Sequence, residues 1–121
     1  MAWQFNHTEA VFLQIARHLR GNILNGSYLP DQQIPSVRQL ATEAAVNPNT
    51  VQKALTLLEE EGLVCTRGTV GRFVTSDAGV LDAAREKKRR DVVARWLTEA
   101  KEIGLSVEEA IQYLQEEEGR L

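Results

Sequence analysis

Only four residues, Ala-Val-Asn-Pro at positions 45–48, separate two segments that each carry a helical pattern of apolar residues. The first segment, "SVRQLATEA", starts at Ser36, a residue suited to capping a helix, and places Val37 and Leu40 on one face. The second, "NTVQKALTLLEEEG", follows a proline that costs a first helical turn nothing, and Gly62 is a typical C-terminal stop. A short helix, a tight turn and a longer helix predict a helix-turn-helix unit.

The residues on either side of this unit complete a small domain. Upstream, "HTEAVFLQIARHLRGNILNG" carries a third helical pattern, for which Thr8 is the predicted start and Gly26 the end. Downstream, "LVCTRGTVGRFVTS" changes to two short apolar runs around a glycine-containing centre, which predicts a β-hairpin. Cys65 in the first run is interpreted as a small buried residue, with a reactive thiol as the alternative. Three helices followed by a hairpin predict a winged helix-turn-helix domain over residues 1–76.

The remaining residues, 77–121, return to helical periodicity. Gly104 interrupts the pattern, and Ser106 followed by Glu109 has the spacing of a capping box, so two helices are predicted. Two short helices cannot easily bury two apolar stripes by themselves, so either the N-terminal domain or a second copy of the chain must cover them. We favour the second copy and expect a homodimer. The fold class is thus α+β, mainly α, with a winged helix and a two-helix dimerisation tail. The residues expected at the dimer interface are Leu81, Val92, Val93, Trp96, Leu97, Ile103, Val107, Ile111 and Leu114.

The distribution of charge narrows the range of functions. A net charge of −3 argues against a protein that coats nucleic acid indiscriminately, because such binding needs a general excess of positive charge. Residues 1–76 contain six Lys or Arg and six Asp or Glu, so the acidic excess lies in residues 77–121. No span approaches the roughly 20 consecutive apolar residues of a membrane helix, and the N-terminus lacks the layout of a signal peptide. We expect a cytoplasmic protein with no membrane partner.

No part of the sequence has the pattern of a catalytic or metal site. His7 and His18 are too far apart for a local metal pair, and no Cys-x-x-Cys or His-Glu-x-x-His spacing occurs. No serine or cysteine has a recognisable base and orienting group. We therefore expect neither enzymatic activity nor a cofactor.

Over residues 11–74 the chain resembles the GntR-type bacterial transcription regulators. The resemblance rests on the order and spacing of "FLQIARHLRGNILNGSYLP", "IPSVRQLA", "VNPNTVQKAL", "LEEEGLV" and "GRFV". The Asn-Pro-Asn-Thr-Val turn and the short helical tail are similar to the YtrA-type subgroup, which implies a DNA-binding winged helix with a dimerising appendage. The chain departs from the family at Asp31, where a glycine is usual, at Asn47-Pro48, where many members have Ser-Arg, and at the displaced wing glycine Gly68.

The resemblance implies that Arg38 contacts DNA, since its guanidinium can pair with guanine or phosphate, while a solvated surface arginine or an ion pair with Glu43 is the alternative. Amide side chains at the start of the third helix can pair with adenine, and one of Asn47 and Asn49 is expected to cap that helix. A basic hairpin tip that includes Arg72 suits the minor groove or phosphates, with a flexible turn as the alternative. The candidate DNA-binding residues are Ser36, Arg38, Asn47, Asn49, Thr50, Gln52, Lys53, Arg67, Gly68 and Thr69.

A further basic run, "REKKRR" at residues 85–90, is interpreted as a solvated helical segment paired with neighbouring acidic residues, and a secondary phosphate contact is its alternative. The combined prediction is a homodimeric, sequence-specific regulator that binds a pseudo-palindromic operator in double-stranded DNA, with repression as the favoured outcome. Two alternatives stay open. One is a regulator switched by an unknown small-molecule effector at the dimer interface, and the other is a winged helix that serves only as a protein-interaction module.

Overall fold

The computed structural model describes residues 3–121 and divides the chain into two compact units, Met1–Ala84 and Arg85–Leu121. The described residues are mainly helical, with one antiparallel two-stranded sheet, as the sequence predicts. In chain order the elements are α1 (Val11–Leu24), α2 (Val37–Ala44), α3 (Pro48–Glu60), β1 (Val64–Arg67), β2 (Gly71–Val74), α4 (Ala78–Glu102) and α5 (Val107–Arg120).

Local sequence signals account for most of the helix ends. At α2, Ser36 Oγ accepts a hydrogen bond from Gln39 N at 3.1 Å, and Gln39 Oε1 accepts one from Ser36 N at 2.8 Å. This reciprocal pair is a capping box. Gly26 and Gly104, which follow α1 and α4, have φ angles of +84° and +71°. Glycine adopts these angles without a steric penalty, so both residues end their helices as predicted.

The first helix begins at Val11 rather than at Thr8. Thr8 does not cap it, because its hydroxyl donates to Asn6 Oδ1 at 2.9 Å within the preceding loop. Gln14, buried on α1, holds that loop: its Oε1 accepts from Asn6 N at 3.0 Å, and its Nε2 donates to the carbonyl of Glu9 at 2.8 Å. The N-terminal segment is therefore fixed to α1 by a satisfied buried amide.

The core of the first unit lies between α1, α2, α3, the hairpin and the first turns of α4. Ile15 of α1 and Leu55 of α3 are fully buried there. Leu81 also belongs to this core, with 2% of its surface exposed, and Val80 and Ala84 pack against it. The prediction that Leu81 lies at a dimer interface is therefore wrong, because the start of α4 completes the core of the winged helix.

The two strands form the predicted hairpin, with Val64 opposite Val74 and Cys65 opposite Phe73. Successive side chains of a strand face opposite sides, so Val64 and Val74 enter the core while Cys65 is turned away from it. Cys65 is exposed, and its interpretation as a buried residue is wrong. The hairpin also pairs with an upstream loop, since an isolated antiparallel bridge joins Gln33 to Phe73.

The second unit contains most of α4 and all of α5. Ala100 and Ala110 are its buried apolar residues within the described chain. In the connecting turn, Leu105 N donates to Ala100 O at 2.9 Å, and a capping box between Ser106 and Glu109 starts α5 as predicted. Every residue of α5 beyond Ala110 is exposed. Large apolar side chains are among them, so this unit does not bury its own apolar stripe.

Candidate nucleic-acid interface

Two amide side chains without a hydrogen-bond partner in the described chain lie near the N-terminal end of α3. Asn47 is the N-cap, and its Oδ1 accepts from Asn49 N at 2.8 Å, while Pro48 occupies the first helical turn. The predicted capping role therefore falls to Asn47. Asn49 and Gln52 are exposed and make no side-chain hydrogen bond within residues 3–121. Because they lie three residues apart on a helix, both amides face the same side.

The start of α2 lies beside this helix end. Ser36 uses its hydroxyl and its backbone amide in the capping box, and Thr50 on α3 is half-buried. Arg38 is exposed and forms no ion pair in the described part of the chain. The alternative that Glu43 holds Arg38 is not realised, since a Glu43 oxygen instead accepts from Trp3 Nε1 at 3.4 Å.

The turn between α2 and α3 is tight enough to bring both helices to one surface. Ala45, the C-cap of α2, has a φ of +58°, a value that few residues other than glycine adopt. An open concavity of about 380 Å³ lies at this turn. The residues that line it are Arg38, Ala41, Thr42, Ala45, Val46, Asn47 and Pro48. We call the surface at the starts of α2 and α3 the recognition surface. It consists of the half-buried Thr50 and of six exposed residues, Ser36, Arg38, Asn47, Asn49, Gln52 and Lys53.

Lys53 lies at the edge of the recognition surface and contacts α1. Its Nζ is 4.2 Å from the centroid of the Phe12 ring. A cation–π contact at an exposed position is worth roughly 0.5–1 kcal/mol, so it orients the ammonium group without immobilising it. Lys53 therefore remains available to an anion, as its predicted role requires.

Three glutamates, Glu59, Glu60 and the C-cap Glu61, lie at the far end of α3, and two of them are bonded to arginines. Glu59 Oε1 accepts from Arg72 Nε at 2.6 Å and from Thr66 Oγ1 at 2.9 Å. Glu61 accepts two hydrogen bonds from Arg20, at 2.7 and 2.6 Å. The Arg72 hydrogen bond lowers the pKa of Glu59 below its ordinary value, with a smaller lowering from Thr66, against the opposing effect of burial. The prediction of a basic tip that includes Arg72 is wrong, because this arginine is bonded to α3.

The wing tip itself is exposed and uncharged. Gly68, with a φ of +51°, is followed by Thr69 and by Val70, which has 66% of its surface exposed. Arg67 precedes the tip, and its guanidinium donates to the Asp31 carboxylate and lies 4.3 Å from the Phe73 ring centroid. Arg67 is therefore at the wing, as predicted, but it is already engaged.

The residues that support the wing from the upstream loop were not found from the sequence. Asp31 is 36 residues away from Arg67, and Gln33, whose Nε2 donates to Val70 O at 2.9 Å, is 37 residues away from its partner. Neither pair falls within a helical or strand period. The one available signal was the acidic residue at position 31 in place of a glycine.

The basic run on α4 is paired in part with acidic neighbours on the same helix. Lys87 Nζ lies 3.7 Å from Asp91, and Arg90 Nε lies 2.7 Å from Glu86, both pairs four residues apart. These contacts agree with the interpretation of the run as a solvated helical segment.

Within the described chain, no group of three or more His, Cys, Asp or Glu residues is arranged to hold a metal ion. None of the described helices combines the length and the apolar character that crossing a membrane requires.

Residues 12–74 match the family described as "Bacterial regulatory proteins, gntR family". The match spans more than half of the chain, and the chain belongs to this family. It is therefore a DNA-binding transcription regulator rather than an enzyme, as the resemblance implied.

Two relatives from Bacillus subtilis illustrate the match. The chain is 34% identical over 109 residues to the uncharacterized HTH-type transcriptional regulator YhcF, covering 90% of each protein. It is 38% identical over 68 residues to the HTH-type transcriptional repressor YtrA, covering 56% of this chain and 52% of YtrA. The similarity to YtrA agrees with the resemblance to the YtrA-type subgroup.

Two solved structures share the fold. A GntR family transcriptional regulator from Listeria monocytogenes aligns with a TM-score of 0.87 and 26% identity, over 93% of this chain and 98% of that one. The DNA-binding domain of AraR in complex with operator ORX1 aligns with a TM-score of 0.55 and 25% identity, over 62% of this chain and 95% of that one. The winged-helix architecture is thus confirmed.

Proposed function

We propose that the recognition surface enters the major groove of an operator, with Asn49 and Gln52 reading base edges. The observation that carries this proposal is the pair of exposed amides on one side of α3, with no hydrogen-bonding partner within residues 3–121. A carboxamide pairs with adenine through one donor and one acceptor, and such pairing discriminates between bases by roughly 1–3 kcal/mol.

Arg38 and Lys53 hold the protein on the DNA backbone in this proposal. Both are exposed cations beside the amides, and phosphate contacts fix register without reading sequence. Two of the three glutamates at the far end of α3 add little repulsion towards phosphate, because Glu59 and Glu61 are each bonded to an arginine, and Glu60 lies at the opposite end of the helix from the amides.

The chain acts as a homodimer in this proposal, with the tail as its interface. Val92, Val93, Ile103, Val107, Ile111 and Leu114 are between 50% and 78% exposed, and Trp96 and Leu97 are half-buried. A second copy related by a two-fold axis can cover these side chains, since such an interface uses the same surface twice. The same axis relates two recognition surfaces, which suits a pseudo-palindromic operator.

Repression is the favoured sign of regulation, supported by the similarity to the repressor YtrA. A dimer on an operator can act simply by occupying the DNA that the transcription machinery needs. Because its target is bacterial chromosomal DNA, the regulator works in the cytoplasm.

The experiment that tests the base-reading role replaces both amides, as Asn49→Ala with Gln52→Ala. Uncharged side chains contribute little to nonspecific binding, so affinity for random duplex should stay unchanged while the preference for operator falls. The operator is first obtained by selecting bound fragments from genomic DNA, and competition between operator and random duplex gives the ratio. Gln4→Ala, an exposed amide outside the recognition surface, is the matched control. An unchanged ratio in the double variant would show that the amides only face solvent.

A further inference from the structure

A loop segment upstream of α2 supports the wing along its length. This segment, residues 31–34, is called the brace. Asp31 N donates to Val74 O at 3.0 Å, Val74 N donates to Gln32 O at 2.9 Å, and Ile34 N donates to Arg72 O at 3.0 Å. The brace therefore acts as a short third strand beside β2, and it fixes the base of the wing.

The brace also positions the wing tip through a side chain. Gln33 Nε2 donates to Val70 O at 2.9 Å. It lies so close to Gly71 that a Cβ atom there would be 2.7 Å from Gln33 Nε2. Gln33 thus supports the tip, which is also closed by the backbone bond from Val70 N to Arg67 O at 3.0 Å, and none of these contacts uses the Arg67 side chain.

Asp31 contributes something different, because it is the brace residue that carries charge. Its φ is +66°, a conformation that few residues other than glycine, asparagine and aspartate adopt. From this position its carboxylate accepts from the Arg67 guanidinium, which also lies against the Phe73 ring. The hydrogen bond to Asp31 raises the pKa of Arg67 and is the largest cause of that rise.

We propose that Asp31 withholds Arg67 from DNA phosphates and so lowers the sequence-independent contribution of the wing to binding. The proposal rests on DNA binding by the winged helix. With Arg67 paired to Asp31 and Arg72 paired to Glu59, both wing arginines are neutralised, and the tip residues are uncharged. The wing then contributes shape rather than charge, and phosphate attraction is left to the recognition surface.

An exposed ion pair is weak, yet it suffices for this role. Arg67 and Asp31 side chains are 42% and 59% exposed, so water and salt screen their attraction. The carboxylate nevertheless stays beside the arginine when DNA approaches, where it repels phosphate. Removing the negative charge while keeping the backbone conformation therefore frees one positive charge at the wing.

The test is Asp31→Asn in the full chain, because asparagine tolerates a positive φ and carries no charge. Binding to a random duplex is measured over a range of salt concentrations. One additional phosphate contact should strengthen binding roughly five- to tenfold near 0.1 M salt and steepen the salt dependence by about 0.9 in log–log slope. Asp31→Gly, which removes the side chain altogether, should give the same gain.

The double variant Asp31→Asn with Arg67→Gln distinguishes the proposed route from a general effect of charge. If Arg67 makes the new contact, the gain disappears in this background. Glu9→Gln is the matched control, since it removes another carboxylate, 30% exposed, that is bonded to an arginine, Arg17 on α1. It should leave binding within about twofold of wild type.

Three results would overturn the proposal: no gain from either Asp31 variant in a chain with an unchanged thermal unfolding curve, a gain that persists without Arg67, or an equal gain from Glu9→Gln. If the wild-type chain shows no salt-dependent binding to duplex DNA, DNA binding by the winged helix fails as well. If the wild-type chain binds duplex DNA and the Asp31 variants bind with the same affinity, DNA binding stands and only the proposed role of Asp31 is refuted.

Discussion

The two units of the chain differ in how completely they bury their apolar residues. In the first unit, Leu55 and Leu58 of α3 are fully buried. In the second unit, Ile111 and Leu114 of α5 are 51% and 53% exposed, although they follow an equally regular helical spacing. Helical periodicity therefore identifies the apolar face of a helix, but whether the same chain buries that face depends on how many elements surround it.

The same comparison explains where the first unit ends. Its core needs Leu81, which enters from α4 five residues beyond the boundary predicted at position 76. A winged helix that stops at Ser76 lacks this side chain and leaves its neighbours facing water.

The largest expected effect comes from removing the second unit. A fragment of residues 1–84 keeps Leu81 and should fold as a monomer, because the core of the first unit is intact. Its operator affinity should fall by about 10²–10⁴-fold, since two rigidly joined domains bind as one. Sedimentation measures the mass and a gel shift measures the affinity. A fragment that still dimerises, or that binds operator like the full chain, would refute the role of the tail.

Two leucine substitutions, one in each unit, test the difference in burial between the units. Leu81→Ala should lower the free energy of unfolding by roughly 2–5 kcal/mol, because it opens a cavity in a closed core. Leu114→Ala removes the same atoms from a surface and should leave the unfolding of residues 1–84 unchanged while weakening dimerisation. Urea unfolding and sedimentation separate the two effects. Equal loss of stability in the first unit from both variants would contradict the comparison.

Within the first unit, Arg38→Ala tests the recognition surface. Arg38 is exposed and lacks an ion pair in the described chain, so the fold should be preserved. Loss of a phosphate contact should weaken binding to all sequences alike and reduce the salt slope by about one, whereas loss of a guanine contact should cost roughly 1–3 kcal/mol at one operator position. Arg17→Ala on α1 is the matched control. Binding that is unchanged by Arg38→Ala would remove this residue from the interface.

The smallest expected effect concerns the ion pair between Arg72 of the wing and Glu59 of α3. The pKa of Glu59 is lowered in the folded chain, so its carboxylate stabilises the fold above its ordinary pKa and loses that contribution as the pH falls through the lowered value. Glu59→Gln should therefore cost at most about 1 kcal/mol near neutral pH, because the pair is partly exposed. The difference from wild type should shrink below about pH 4.5. Urea unfolding at several pH values checks this, and a difference that grows in acid would exclude the assignment.

The sequence predicted the elements of the fold well because their signals are local. Capping at Ser36, Asn47 and Ser106 and the stops at glycine each depend on residues within one or two helical turns. Thr8 was the exception. Its hydroxyl donates to Asn6 in the loop and does not cap a helix. Residue spacing alone cannot decide between a bond within the loop and a bond to the first turn of a helix.

The position of the candidate site could be predicted from the sequence, but which of its side chains are exposed or ion-paired could not. Arg67 and Arg72 are both basic residues of a hairpin, and nothing in the sequence shows which of them forms an ion pair. Their partners, Asp31 and Glu59, are brought to them by tertiary packing across 36 and 13 residues. The exposure of Cys65 likewise depends on which face of the strand meets the core, and a four-residue strand gives too few alternations to decide this.

The exposed Cys65 also makes the wing accessible to spectroscopy. It is the single cysteine of the sequence, so a maleimide fluorophore would label the wild-type chain at one defined atom, Sγ, on β1. Its cross-strand neighbour is Phe73, the ring against which Arg67 lies. In the Asp31→Asn chain, a dye at this position would report departure of the guanidinium as a change in emission, and a stopped-flow instrument would time that change against protein–DNA association. In the wild-type chain, where Asp31 holds Arg67, the emission should stay constant when duplex DNA is added.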